Sequence, residues 1–217
     1  MCGRFTLTTN IATIAQAFQV APTLQVEPRY NVAPTQQVVA VMQDETRHLE
    51  LLRWGLVPSW AKDESMGNKM INARAETLAE KPSFKRLLIS KRCLVVADGF
   101  YEWKKEPGGK TPMYFTLKSK EPFAIAGLWD IWHTPDGTVL RTCTLITTQP
   151  NDLVSPVHDR MPAILLPDLR EEWLNPANHD QELLRSFLKS YPTEEMTARP
   201  VSRKVNNVSN DTPELIA

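Results

Sequence analysis

At 217 residues, with 42% hydrophobic and 23% charged side chains, the chain can bury one sizeable core and has the make-up of an ordinary globular protein. Its 25 basic and 25 acidic side chains cancel, which sets it apart from broadly basic nucleic-acid-coating proteins and leaves only a local basic cleft open. No apolar run approaches the roughly 20 residues that span a bilayer, and no basic-then-apolar leader opens the chain, so a cytoplasmic location away from membrane is expected.

The N-terminus carries the first chemical signal. Met1 precedes Cys2, a small residue that favours methionine excision, and excision would put an α-amine and a thiol on adjacent carbons. An α-amine has a pKa of roughly 7.7–8.0, so part of it is unprotonated near neutrality. Such an amine condenses with an aldehyde to an imine, and the neighbouring thiol can close on the imine carbon to a thiazolidine. The alternative reading is a small buried thiol in a first strand. Gly3 then allows close backbone approach and Arg4 supplies a fork for an anion.

Helical spacing of Ile11, Ile14, Ala15 and Phe18 predicts a helix over Asn10–Phe18, with Thr9 or Asn10 as cap. A proline-punctuated loop follows from Pro22 to Pro34. Residues 37–43 and 48–56 read as two strands joined by a turn near Asp44. On an extended segment, Asn72 and Arg74 would point to one side, as a working pair or as a solvated strand face. Helical patterns recur at Phe84–Ile89, Asp168–Leu174 and Gln181–Ser190.

From Arg92 the chain is strand-rich: RCLVVADGFYEWKK, PMYFTLK, FAIAGLWDIW and TVLRTCTLITT, with turns at EPGGK and TPDG. The segment from Met196 to Ser202 reads as a closing strand. Prolines spread along the whole length argue against a linker, so the expectation is a single α+β domain over residues 1–217, mainly antiparallel with peripheral helices. Cys2, Cys93 and Cys143 make an odd count with no CxxC or HxxxH spacing, which argues against zinc and disulfides alike. Cys93 and Cys143 sit in apolar runs and are expected to be inert.

Glu102 lies between Tyr101 and Trp103 where both strand faces are apolar. Burial there raises a carboxyl pKa toward general acid–base use, or else an ion pair neutralises it. His158, after the loop Pro150–Pro156 and before Asp159 and Arg160, can shuttle protons or serve as an ordinary surface imidazole.

Taken in order, CGRF, RYNVAP, WGLVPSW, INARAET, ADGFYEWKK, HDRMPAIL and PVSRKVNNVSND span nearly the whole chain. On these segments it resembles the SRAP family, the SOS-response-associated peptidase-like proteins that process abasic sites in DNA. The resemblance implies a barrel-like core, no cofactor, no metal, a monomer, and single-stranded DNA with abasic sites as partner. Cys2 would be the crosslinking nucleophile, Glu102 and His158 the proton-transfer groups, and Asn72 the residue bonded to the sugar-derived adduct. Arg4, Arg74 and Arg160 would hold phosphates, giving salt-dependent affinity. Trp60 would stack on DNA or else pack with Trp54. Two other activities stay open at this point: an N-terminal-nucleophile peptidase, including self-processing, and a noncatalytic single-strand-binding module.

Overall fold

The computed structural model describes residues 2–134 and 136–217; Met1 and Pro135, and with Pro135 part of the expected TPDG turn, lie outside the described residues. The strands in chain order are β1 (Phe5–Leu7), β2 (Arg29–Val32), β3 (Gln37–Gln43), β4 (Arg47–Trp54), β5 (Asn72–Arg74), β6 (Arg92–Ala97), β7 (Gly99–Glu106), β8 (Gly109–Leu117), β9 (Phe123–His133), β10 (Val139–Thr148), β11 (Met161–Pro162), β12 (Ile164–Leu165) and β13 (Met196–Pro200). The α-helices are α1 (Ile11–Phe18), α2 (Pro82–Ser90), α3 (Arg170–Leu174) and α4 (Gln181–Ser186).

Pairing closes five strands into a barrel. β10 joins β4, β4 joins β3, β3 joins β6, β6 joins β9, and β9 returns to β10. A second, antiparallel sheet runs β13-β8-β7-β1-β2. Barrel residues alternate between two apolar clusters, as the period of a strand requires. Val39, Val41, Leu94 and Val96 meet Ile14, Phe18, Phe84, Leu88 and Trp173 from the helices. Val38, Ala40, Cys93 and Val95 share a cluster with Phe5, Phe100 and Phe115 of the second sheet. Both faces of the central strands are therefore covered, so runs such as β6 are buried throughout. Cys93 and Cys143 are buried in that second cluster, as their apolar settings imply.

Most predicted elements form where the pattern put them. Asn10 caps α1 by accepting from the Thr13 N–H at 2.9 Å, and β3 and β4 make the expected hairpin. Four local features differ. The loop expected from Pro22 to Pro34 contains strand β2, which pairs antiparallel with β1. The run from Arg92 is two strands in different sheets: the chain crosses from barrel to second sheet at Asp98. That carboxylate accepts from Thr6 Oγ1 at 2.6 Å and from the backbone N–H groups of Thr8 at 2.5 Å and Thr9 at 2.8 Å. A Cβ on Gly99 would lie 2.3 Å from Tyr114 Oη. We expect Gly99→Ala to cost about 2 kcal/mol or more by overpacking, read as a drop in denaturation midpoint.

The sheet is also not antiparallel throughout, since β4 and β5 both run parallel to β10. They form one interrupted edge, and residues 55–71 are an excursion from it. The excursion leaves at Gly55, whose φ of 122° suits glycine and whose Cβ would lie 2.7 Å from Gly67 O. Finally, α4 stops at Ser186 rather than continuing to Ser190. Thr148 Oγ1 donates to Leu188 O and Ser190 Oγ donates to Gln149 O, each at 2.8 Å, and these bonds draw the segment onto the end of β10. No helix among the described residues is long and apolar enough to cross a membrane.

Candidate functional site

The residues before β1 lie alongside β7. Phe5 pairs with Phe100, and the Tyr101 N–H donates to Arg4 O at 3.0 Å. This register carries Gly3 and Cys2 past Glu102. Asn72, at the start of β5, donates from Nδ2 to Cys2 O at 2.8 Å. His158, at the end of the loop that follows β10, brings Nε2 to 3.9 Å from Glu102 Oε2. Residues from three other stretches of sequence thus converge on the N-terminal segment. Beside them opens a hollow of about 680 Å³ lined by Glu102, Trp103, Lys105, Lys110, Ser155 and His158, among others.

The electrostatics follow from burial. Glu102 is 2% exposed, and desolvation raises its carboxyl pKa from the ordinary 4.5 to about 7. The Cys2 thiol is wholly buried, and burial first, then the negative charge of Glu102, pushes its pKa well up. It is therefore held as the thiol. His158 is shifted down, mainly by burial. Its Nδ1 lies 3.0 Å from the Arg160 N–H, from which it can accept, and also 3.0 Å from Asp159 Oδ1, while Nε2 faces Glu102. Asn72 Oδ1 is a buried acceptor without a partner among the described residues. It is available to a hydroxyl or amine of a guest.

The predicted cationic and aromatic residues divide. Arg74 is exposed and forms no side-chain hydrogen bond or ion pair among the described residues. Arg4 is half-buried: Nη1 donates to Asn31 Oδ1 and Val205 O, each at 2.7 Å, and the guanidinium lies 5.8 Å from the Trp103 ring centre. Arg160 turns inward. It is 7% exposed, grips both carboxylate oxygens of Glu76 at 2.7 and 2.9 Å, and donates to Thr147 O at 2.7 Å. In the free protein it braces the His158 loop against the segment after β5. We expect Arg160→Leu to destabilise the fold by about 2 kcal/mol, read as a drop in denaturation midpoint, since Thr147 O loses this partner and Glu76 keeps only Gln149.

Trp60 is 61% exposed, whereas Trp54 is fully buried and donates to Ile71 O at 2.8 Å, so the two do not form a shared core. Trp60 borders a separate hollow with Ser59, Pro82, Ser83 and Arg86. Asn31 of RYNVAP is structural: its Nδ2 donates to Val205 O, Asn207 O and Asn210 O and ties down the C-terminal segment. Sequence reasoning overlooked Lys105 and Lys110, although KKEPGGK signals a tight hairpin that sets its lysines against each other. No group of three or more His, Cys, Asp or Glu side chains among the described residues is placed to hold a metal.

Barrel, second sheet and this convergence define a class: a protein whose N-terminal cysteine segment is held against an acid, an imidazole and a carboxamide. A family model described as SOS response associated peptidase (SRAP) matches residues 1–208, and the chain belongs to that family. It is 52% identical over 221 residues to abasic site processing protein YoqW of Bacillus subtilis (strain 168), covering 100% of this chain and 99% of the relative. It is 33% identical over 226 residues to abasic site processing protein YedK of Escherichia coli (strain K12), with 100% and 99% covered. A crystal structure of a protein from Bacteroides thetaiotaomicron superposes with a TM-score of 0.90 at 27% identity, covering 99% of this chain and 98% of that one.

Proposed function

We propose that this protein processes abasic sites in single-stranded DNA by covalent capture through Cys2, after removal of Met1, and so shields the lesion. The observation that carries the reading is the convergence itself. Asn72 is bonded to the Cys2 carbonyl, and Glu102, with a pKa of about 7, lies at 3.9 Å from His158 on an open hollow. The names of the relatives supply the substrate class.

The chemistry closes on these groups. The Cys2 α-amine adds to the aldehyde of the ring-opened deoxyribose and gives a carbinolamine. Protonated Glu102 donates to the departing hydroxyl, water leaves, and an iminium forms. The buried thiol then adds to the iminium carbon while its proton passes to the Glu102 carboxylate, which restores the acid. The sum is aldehyde plus aminothiol giving thiazolidine plus water, with Glu102 unchanged. His158 acts on the sugar oxygen during ring opening, and Asn72 Oδ1 accepts from the ring-opened sugar. Arg74 and Arg4 are the arginines nearest in role to the flanking phosphates, and Trp60 is an exposed surface on which a base can stack.

A peptidase of the thiolate type fits less well, because burial beside a carboxylate holds the Cys2 thiol protonated. Lyase action remains tied to the same imine. A DNA oligonucleotide bearing one abasic site tests the proposal: a heat-stable adduct dependent on Cys2 is expected, and its absence would remove the reading.

A further inference from the structure

The hollow beside Glu102 has a basic wall that the capture chemistry does not use. Lys105 on β7 stands directly opposite Lys110 on β8, across the tight turn at Pro107–Gly108. Both lysines are exposed and both line the hollow that Glu102 and His158 also line. Like charges placed directly across a strand pair are destabilising. Two neighbouring cations are paired: Lys104 lies 3.4 Å from Glu106, and Lys204 lies 3.2 Å from Glu214. Lys105 and Lys110 form no ion pair within 4 Å among the described residues, although the carboxylate of Asp159 lines the same hollow.

Between this pair and the reacting groups lies Trp103. It follows Glu102 in β7, shares a strand face with Lys105, and is fixed by Nε1 donating to Asn206 Oδ1 at 2.7 Å. Its ring borders the hollow. An acid-bearing centre, an immobilised aromatic ring and a pair of cations therefore follow one another along one hairpin. That order matches what a single strand offers next to a lesion: a sugar, a base with a flat face and a backbone anion.

Resting on the proposed capture at Cys2, we infer that the β7–β8 hairpin forms a one-sided track for the strand flanking the lesion, with Lys105 and Lys110 gripping a backbone phosphate. The anion offsets the repulsion that the free protein carries between the two ammonium groups.

The test uses Lys105→Gln/Lys110→Gln and the charge-keeping Lys105→Arg/Lys110→Arg in the full chain. Noncovalent binding to undamaged single-stranded oligothymidylate is followed against salt. Loss of one neutralised phosphate should flatten the log–log salt slope by roughly 0.7 in the glutamine variant. The arginine variant should keep the wild-type slope. In a second arm, abasic oligonucleotides extend from the lesion on only the 5′ or only the 3′ side. The glutamine variant should crosslink more slowly on one of these and at the wild-type rate on the other. An unchanged slope, an arginine variant as weak as the glutamine one, or equal behaviour on both one-sided strands would each overturn the inference. The salt arm does not involve Cys2. A wild-type protein whose slope flattens as expected in the glutamine variant but that never crosslinks would sink the capture reading alone.

Discussion

Cys2→Ala is expected to eliminate the heat-stable adduct entirely while leaving a product that borohydride traps. The variant keeps an α-amine in the same place, anchored by the Asn72 bond to its carbonyl, which the substitution does not touch. Imine formation therefore continues. Without a thiol the iminium cannot close to a thiazolidine, so the adduct hydrolyses on heating and has time for β-elimination, and strand cleavage should rise. An extra residue placed ahead of Cys2 should be equally damaging for the opposite reason, since the thiol survives but the amine is moved. Gel analysis with and without heat, and with and without borohydride, separates these outcomes. A heat-stable adduct of wild-type yield from Cys2→Ala would show that sulfur takes no part in closure.

The second large effect belongs to Glu102→Gln. Glutamine keeps shape and hydrogen bonding but cannot donate and recover a proton, so single-turnover crosslinking should slow by about 100-fold or more, with noncovalent binding retained. The pH dependence carries the finer signature. The acid form of Glu102 declines as pH rises through about 7. The amine, with a reference pKa of roughly 7.7–8.0, becomes active over the range just above. Wild type should thus show a bell, and the glutamine variant only the rising limb.

Stability should change in a matching way. A carboxyl whose pKa rises from 4.5 to about 7 on folding binds more protons in the folded state. Its contribution is therefore present below the unfolded pKa and lost as pH climbs to about 7. Glu102→Gln removes that loss, so relative to wild type it should gain on the order of 2 kcal/mol between pH 5 and pH 8. Urea midpoints at the two pH values read this directly. A crosslinking rate equal to wild type would remove Glu102 from the chemistry, whatever its effect on stability.

Periodicity made α1, β3 and β4 legible because each buries one face against a single neighbour, and the local pattern records that. The break at Asp98 was hidden because strands covered on both sides lose their alternation, so β6 and β7 read as one apolar run. The parallel pairing of β5 was hidden for a different reason: its partner β10 lies some seventy residues away, and three residues carry no register signal. Among the candidate site residues, chemistry drew attention to Cys2 and Glu102 but left each with an equally ordinary structural reading, a buried thiol and an ion-paired carboxylate, until the family resemblance was added. Arg160 could not be placed. An arginine beside a histidine motif reads the same whether it faces a phosphate or, as here, Glu76 from inside.

The central claim is that Cys2 bears the lesion through both nitrogen and sulfur, and intact-mass analysis tests it most directly. Purified protein should lack Met1. After incubation with an abasic oligonucleotide and heating, it should carry the mass of one oligonucleotide less one water, with the modification mapping to Cys2 and its thiol closed to alkylation. Retention of Met1 on protein that nevertheless forms the adduct, or an adduct mapped to any lysine with the Cys2 thiol still alkylatable, would contradict the account.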